Sequence, residues 1–126
     1  KTDKEALTFV ENNSMKYSVF ILFLGFAFIS CNKTGVAKGT PKCVEDKIIA
    51  FEENKVCASG AKVELYRFQG AFVYSFFQGT CGADLTTEII SEDCETLGYL
   101  GGITGNVEIN GENFENAIFQ EVTWQD

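Results

Sequence analysis

Cysteines are the residues of this chain whose type and spacing most clearly point to chemistry. The 126 residues contain five of them: Cys31, Cys43, Cys57, Cys81 and Cys94. No two are only two to four residues apart, which is the spacing typical of structural zinc sites. The sequence contains no histidine, which excludes Ser-His-Asp and Cys-His catalysis and removes the commonest transition-metal ligand. We therefore expect no metal and no other cofactor.

Carboxylates are the remaining candidates for catalysis or ion binding. Five of them fall close together in the sequence: Asp84, Glu88, Glu92, Asp93 and Glu95. A pair of carboxylates can hydrolyse a glycosidic bond, and a small hydrolase is one alternative function. Residues 92–95 could also hold a cation weakly, although they lack the ligand alternation of an EF-hand. We favour a third interpretation, that these are solvated loop residues.

The charge distribution restricts the partners. The net charge is −8, and ten acidic residues but no basic one follow Arg67. Because nucleic-acid binding needs clustered Lys and Arg, that function is excluded. The acidic half of the chain favours solubility, or else a cationic partner.

An export signal precedes the acidic part. Lys16 follows Met15, and the next fourteen residues, 17–30, carry no charge. A membrane-spanning helix needs about 20 residues, so this stretch predicts a signal peptide.

The signal ends in residues 28–31, Phe-Ile-Ser-Cys, and this motif resembles the lipobox of bacterial lipoproteins. The resemblance implies that Cys31 is lipidated and becomes the N-terminus after cleavage, so that the membrane is one partner. Asn32 follows Cys31, and no acidic residue lies in the next several positions. In such proteins an Asp there is a retention signal for the inner membrane, and its absence implies the outer membrane.

These features predict four parts of the chain. Residues 1–14 are interpreted as an upstream extension, with a polar N-terminal arm as the alternative, and residues 15–30 as the signal peptide. Residues 31–42, rich in Asn, Lys, Thr and Gly, are expected to be a flexible tether. Residues 43–126 are expected to form a single domain.

The domain is predicted to begin with a helix, because apolar residues recur at helical spacing between Cys43 and Asn54. A β-hairpin is predicted over residues 61–77, with Gln69-Gly70 as its turn. Val63 should then lie opposite Phe76, and Leu65 opposite Tyr74.

The opposite face of this hairpin is also apolar, since it carries Tyr66, Phe68, Val73 and Phe77. We expect later strands to bury it. A ligand or partner groove is the alternative.

Further strands should follow. A second hairpin is predicted over residues 86–100 around the polar loop 91–96, and Asn110-Gly111 predicts another tight turn. A closing strand should place Ile118, Val122 and Trp124 on one face. The expected fold class is α+β, with one N-terminal helix packed on an antiparallel sheet of about five or six short strands, and with disulfides.

The hairpin register selects a disulfide pairing. Setting Cys31 aside leaves four cysteines in a small exported domain, a number typical of two disulfides. Cys57 precedes the first hairpin strand and Cys81 follows the second, nearly opposite one another. The sequence therefore predicts Cys57–Cys81 and, by elimination, Cys43–Cys94. A Cys43–Cys57 pair is the second possibility.

Two segments resemble a known family. They are residues 98–106 (GYLGGITGN) with Ile109-Asn110-Gly111, and residues 68–74 (FQGAFVY) with residues 79–84 (GTCGAD). Together they resemble small lipoproteins of gram-negative bacteria that carry a domain of unknown function, over about Cys43 to Trp124. The resemblance implies no activity and no site residues. The leading hypothesis is a non-catalytic binding or accessory module of the cell envelope, with a protein or small-molecule partner.

Overall fold

The computed structural model describes residues 35–126. The expected upstream extension, the signal peptide, Cys31 and the first part of the tether lie outside this range. In the described part no helix is long and apolar enough to cross a membrane. The elements, in chain order, are α1 (Lys42–Asn54), β1 (Lys62–Phe68), β2 (Ala71–Phe77), β3 (Thr86–Ser91), β4 (Thr96–Gly101), β5 (Glu108–Ile109), β6 (Glu112–Asn113), a 3-10 helix (Phe114–Asn116) and β7 (Ile118–Gln125).

The strands form two separate antiparallel sheets. The larger sheet has five strands in the order β4-β3-β2-β1-β7, and β5 pairs only with β6. The predicted α+β class is confirmed, with one helix in the described part. The expectation of a single sheet differs from the structure, because β5 and β6 form a hairpin of their own.

The first hairpin has the predicted register. Val63 lies opposite Phe76, and Leu65 lies opposite Tyr74. Gln69 and Gly70 form the turn with φ values of 51° and 79°. Two positive φ values in a two-residue loop match the twist of the flanking strands, and glycine adopts such a value without steric cost.

Two later turns also follow the prediction. Strands β3 and β4 form the second hairpin, with Glu88 opposite Tyr99. Asn110 and Gly111 form the turn between β5 and β6 and again have positive φ values, 51° and 77°.

The prediction for the closing strand is wrong in one respect. Two β-bulges interrupt the pairing of β7 with β1, so that Trp124 lies opposite Val63 while Val122 lies opposite Glu64. Successive residues of a strand point to opposite faces. Val122 therefore does not share a face with Trp124, and the two differ in exposure, at 41% and 4%.

Two hydrophobic clusters form the core, one on each side of the large sheet. The first joins Val44 and Ile48 of α1 to residues of four strands: Val63, Tyr74, Phe76, Ile90 and Trp124. Phe51 of α1 also makes edge contacts with the rings of Phe76 and Trp124 at 5.3 and 5.9 Å.

The second cluster lies under the small sheet. Its buried members are Phe68, Val73, Ile89 and Ile109. Ile109 comes from β5, so the small sheet covers the apolar face that Phe68 and Val73 present.

The segment before α1 is attached to the domain. Val36 packs against the first cluster, and the Ala37 amide donates a hydrogen bond of 2.8 Å to the Thr123 carbonyl in β7. Thr40 Oγ1 donates to the Ala37 carbonyl at 2.8 Å. Within the segment interpreted as a tether, residues 36–40 thus make contacts, and burial of the apolar Val36 side chain against the first cluster favours them.

Two disulfides link the elements. Cys57 is joined to Cys81 with a Cα–Cα distance of 5.6 Å, and Cys43 to Cys94 with a distance of 6.1 Å. These are the pairs expected from the hairpin register. Gly79 allows the backbone to pass close to the Cys57–Cys81 disulfide, since a Cβ on this residue would lie 2.9 Å from both Cys57 Cβ and the Ser59 carbonyl oxygen.

Candidate functional site

A groove of about 570 Å³ lies beside the second cluster, where the small sheet meets the large one. Its walls are mostly apolar and its mouth is open to solvent. The apolar side chains that line it are Tyr66, Leu100, Val107, Phe114 and Ala117, and the polar ones are Asn106, Asn113 and Glu115. Ligand sites are typically concave and apolar with a few polar groups, which makes this groove the candidate binding site.

Four elements position the lining. Tyr66 comes from β1 and Leu100 from β4, and both belong to the large sheet. Phe114 begins the 3-10 helix, which Asn113 caps by accepting a 2.8 Å hydrogen bond from the Glu115 amide. The Phe114 amide donates to the Val107 carbonyl at 2.9 Å, which ties this helix to the loop before β5.

Asn106 fixes the loop at the other end of the groove. Its Nδ2 donates to the Tyr99 carbonyl at 2.7 Å and to the Glu108 carbonyl at 2.9 Å. A backbone pairing of Gly101 with Asn106 closes the turn between them. The groove is thus lined by residues held by backbone hydrogen bonds rather than by a free loop.

Aromatic rings form the floor. The ring centroid of Tyr66 lies 5.3 Å from that of Phe114 and 5.7 Å from that of Phe119. Phe114 also contacts Phe68 of the core at 5.1 Å. Edge-to-face and tilted contacts are favourable arrangements of aromatic rings, and two of these rings, Tyr66 and Phe114, line the groove.

The Tyr66 hydroxyl is held by a carboxylate. It donates a 3.0 Å hydrogen bond to Glu64 Oε2, while Lys62 Nζ lies 2.7 Å from Glu64 Oε1. Burial, followed by the hydrogen bond and the charge of Glu64, raises the pKa of Tyr66 to about 12. The phenol therefore remains protonated near neutral pH, and Glu64 is already paired.

Glu115 is the charged residue of the lining. Among residues 35–126, neither a cation nor a hydrogen-bond donor lies within bonding distance of its carboxylate. The groove therefore presents one uncompensated negative charge at an apolar surface.

The acidic residues considered from the sequence lie elsewhere. Glu88 Oε1 accepts hydrogen bonds from Lys47 Nζ at 2.8 Å and Thr96 Oγ1 at 2.6 Å. The others are exposed residues of the connecting loops: Asp84, Glu92, Asp93 and Glu95. Within the described range, no three carboxylate or cysteine side chains come together in a way that could hold a metal ion.

The sequence indicated the groove only in part. Phe68 and Val73 are buried, as expected if other strands cover the second face of the first hairpin. Tyr66 on the same face lines the groove, which was the alternative expectation for that face. Phe114 was missed. It is a single aromatic residue in the polar run Glu-Asn-Phe-Glu-Asn after a tight turn, and that contrast was the available signal.

The fold and the groove define a small α+β domain, linked by two disulfides, with an apolar groove at the junction of its sheets. The profile of the family described as Domain of unknown function (DUF6970) matches residues 49–126, which is more than half of the chain, and the chain belongs to this family. The match begins within α1 and includes every strand and the whole groove. No curated protein and no solved structure is significantly similar to the chain.

Proposed function

We propose that this protein is a lipid-anchored cell-envelope protein of gram-negative bacteria, and that its domain is a non-catalytic binding module that uses the groove at Tyr66 and Phe114. The observation that carries the binding role is the groove itself. It is apolar, backbone hydrogen bonds hold its walls, and its apolar lining is only partly buried where it packs against the second cluster.

The anchor is supported by the sequence before the domain. A positive residue, an uncharged stretch and the lipobox-like end at Cys31 match a lipoprotein signal, and acyl chains on Cys31 would hold the protein at the outer membrane. Residues 1–14 would then precede the signal peptide, residues 15–30, and would be absent from the mature protein.

The position of Val36 limits the reach of this anchor. Five peptide bonds separate Cys31 from Val36, which packs on the domain. An extended chain of that length spans less than about 20 Å. The domain would therefore stay close to the bilayer.

In the mature domain α1 would be the N-terminal helix, packed on the large sheet. The contacts of Val44, Ile48 and Phe51 support that packing.

The anchor is tested by Cys31→Ser in cells supplied with a labelled fatty acid. We expect the label to be lost from the protein and the uncleaved precursor to accumulate. Label that still attaches to the variant would refute the lipidation.

The binding role is tested with a neutral peptide, defined as an N-acetylated, C-amidated pentapeptide with a fluorinated phenylalanine at its centre, glutamine on either side and glycine at both ends. Broadening of its fluorine NMR signal reports binding to the full-length protein in lipid nanodiscs, with empty nanodiscs as the blank. We expect Val107→Ser to weaken binding several-fold.

Val56→Ser is the matched control, because it makes the same change at a similarly exposed residue outside the groove. Val107 is 53% exposed and Val56 63%. Neither substitution removes a core contact. Equal loss in both variants, or no broadening with the wild type, would contradict the binding role.

A further inference from the structure

We infer that the groove binds a segment of a partner protein that presents an arginine or lysine side chain next to an apolar side chain. This inference rests on the proposed function of the groove as a binding site. It adds the chemistry of the occupant, which the charges around the groove and its shape determine.

The shape favours a peptide segment over a small molecule. Small-molecule sites bury about 70–90% of their ligand, whereas the mouth of this groove is open to solvent. The rings of Tyr66 and Phe114 and the side chains of Leu100 and Val107 offer an apolar surface that fits one apolar side chain. The rest of a bound segment would stay at the surface, beside the polar residues.

The charge favours a basic neighbour. Glu115 lines the groove, and Glu108 and Glu112 adjoin the lining residues Val107 and Asn113. Within residues 35–126 none of these three carboxylates lies within ion-pair distance of a cation. Four of the five lysines in residues 35–126 are already paired, since Lys42, Lys47, Lys55 and Lys62 each contact a carboxylate on the domain itself.

The same charges disfavour other occupants. Residues 35–126 carry six basic and fifteen acidic residues, a net charge of −9. A second copy of this domain would bring like charges together, and anionic phospholipids would be repelled. A basic protein segment gains attraction instead of repulsion.

Arginine suits the lining in two ways. Its guanidinium group can bind a carboxylate such as that of Glu115 through two parallel hydrogen bonds. It can also lie over an aromatic face, here the ring of Tyr66 or Phe114, within about 6 Å of the centroid. The carboxylate and both rings line the same groove.

The experiment compares three peptides on full-length protein in nanodiscs of zwitterionic lipid. The neutral peptide is compared with a basic peptide and an acidic peptide, in which arginine or glutamate replaces both glutamines. We expect the basic peptide to bind about tenfold more tightly than the acidic one. The preference should shrink when the ionic strength rises from about 0.05 M to about 0.5 M.

A pair of charge-matched variants locates the effect. Glu115→Gln and Glu53→Gln each remove one exposed negative charge, but Glu53 lies on α1, away from the groove. We expect Glu115→Gln to weaken binding of the basic peptide by about two- to fivefold, a larger change than the same variant makes to binding of the neutral peptide. Glu53→Gln should change neither.

Each outcome separates the inference from the proposed function. Binding of all three peptides with equal affinity, still sensitive to Val107→Ser, would overturn the basic occupant while the binding role stands. Binding of none of them would overturn both. A membrane occupant would give a different pattern: the three peptides would bind without preference, and anionic lipid in the nanodiscs would block their binding at Val107. That result would overturn the inference.

Discussion

Gly98 in β4 lies directly against Ile109 of β5. A Cβ on Gly98 would be only 2.9 Å from Cδ1 of Ile109, and the Ile109 side chain is 2% exposed. The absence of a side chain at Gly98 therefore provides the space in which Ile109 seats the small sheet on the large one. One wall of the groove depends on this contact, since Val107 and Phe114 flank the small sheet.

We predict that Gly98→Ala destabilises the domain by about 1–3 kcal/mol, the range for overpacking a core. Ile109→Val alone should cost about 0.5–1.5 kcal/mol. Because that change removes Cδ1, the double variant should be more stable than the sum of the two single effects implies. Urea unfolding of the four proteins measures this coupling.

Gly82→Ala is the control for this cycle. A Cβ at Gly82 meets Leu85 at an ordinary 3.4 Å, and its φ is not positive. The variant should be close to the wild type in stability. Additive effects of Gly98→Ala and Ile109→Val would show that the two residues are not in the contact described.

The Tyr66 phenol should titrate unusually late. Its pKa is raised to about 12, chiefly by burial and then by Glu64. Since the unfolded value is about 10, this group stabilises the fold fully below pH of about 10, and the contribution is lost as the pH rises towards 12. The phenolate absorbance of the wild type minus that of Tyr66→Phe assigns the titration.

Glu64→Gln provides the test of the cause. It removes the negative charge beside the phenol, so the pKa of Tyr66 should fall while burial keeps it above 10. A difference titration centred near pH 10 in the wild-type protein would contradict the buried, carboxylate-bound state.

Both disulfides should contribute strongly to stability. The sequence separations are 24 for Cys57–Cys81 and 51 for Cys43–Cys94. The chain-entropy estimate gives about 3.5 and about 4 kcal/mol. Denaturation of the two paired Cys→Ser variants should show losses of this size, slightly larger for the Cys43–Cys94 pair.

Peptide mapping without reduction tests the pairing itself. We expect one peptide joining Cys57 to Cys81 and another joining Cys43 to Cys94. A peptide joining Cys43 to Cys57 would contradict both the pairing and the hairpin register that supports it.

The sequence predicted those parts of the fold that depend on local interactions. The register of the first hairpin follows from the two-residue turn at Gln69-Gly70, because a fixed turn determines every pair along the strands. The helix and the turn at Asn110-Gly111 follow in the same way from short patterns.

Features that depend on distant residues were not predicted. The bulges of β7 arise where it pairs with β1, more than fifty residues earlier in the chain, and alternation along β7 alone does not reveal them. The groove likewise requires Tyr66 and Phe114, which are far apart in sequence, to meet at 5.3 Å. Only the excess apolar character of the second face of the first hairpin indicated that later strands or a ligand would cover it.

The most direct test of the binding groove is a methyl NMR titration of the full-length protein in nanodiscs with the neutral peptide. We expect the methyl signals of Leu100 and Val107 to shift progressively, because these side chains line the groove, while those of Val56 and Val122 stay in place. Shifts confined to Val56 or Val122, or no shift of Leu100 and Val107 up to the solubility limit of the peptide, would contradict it.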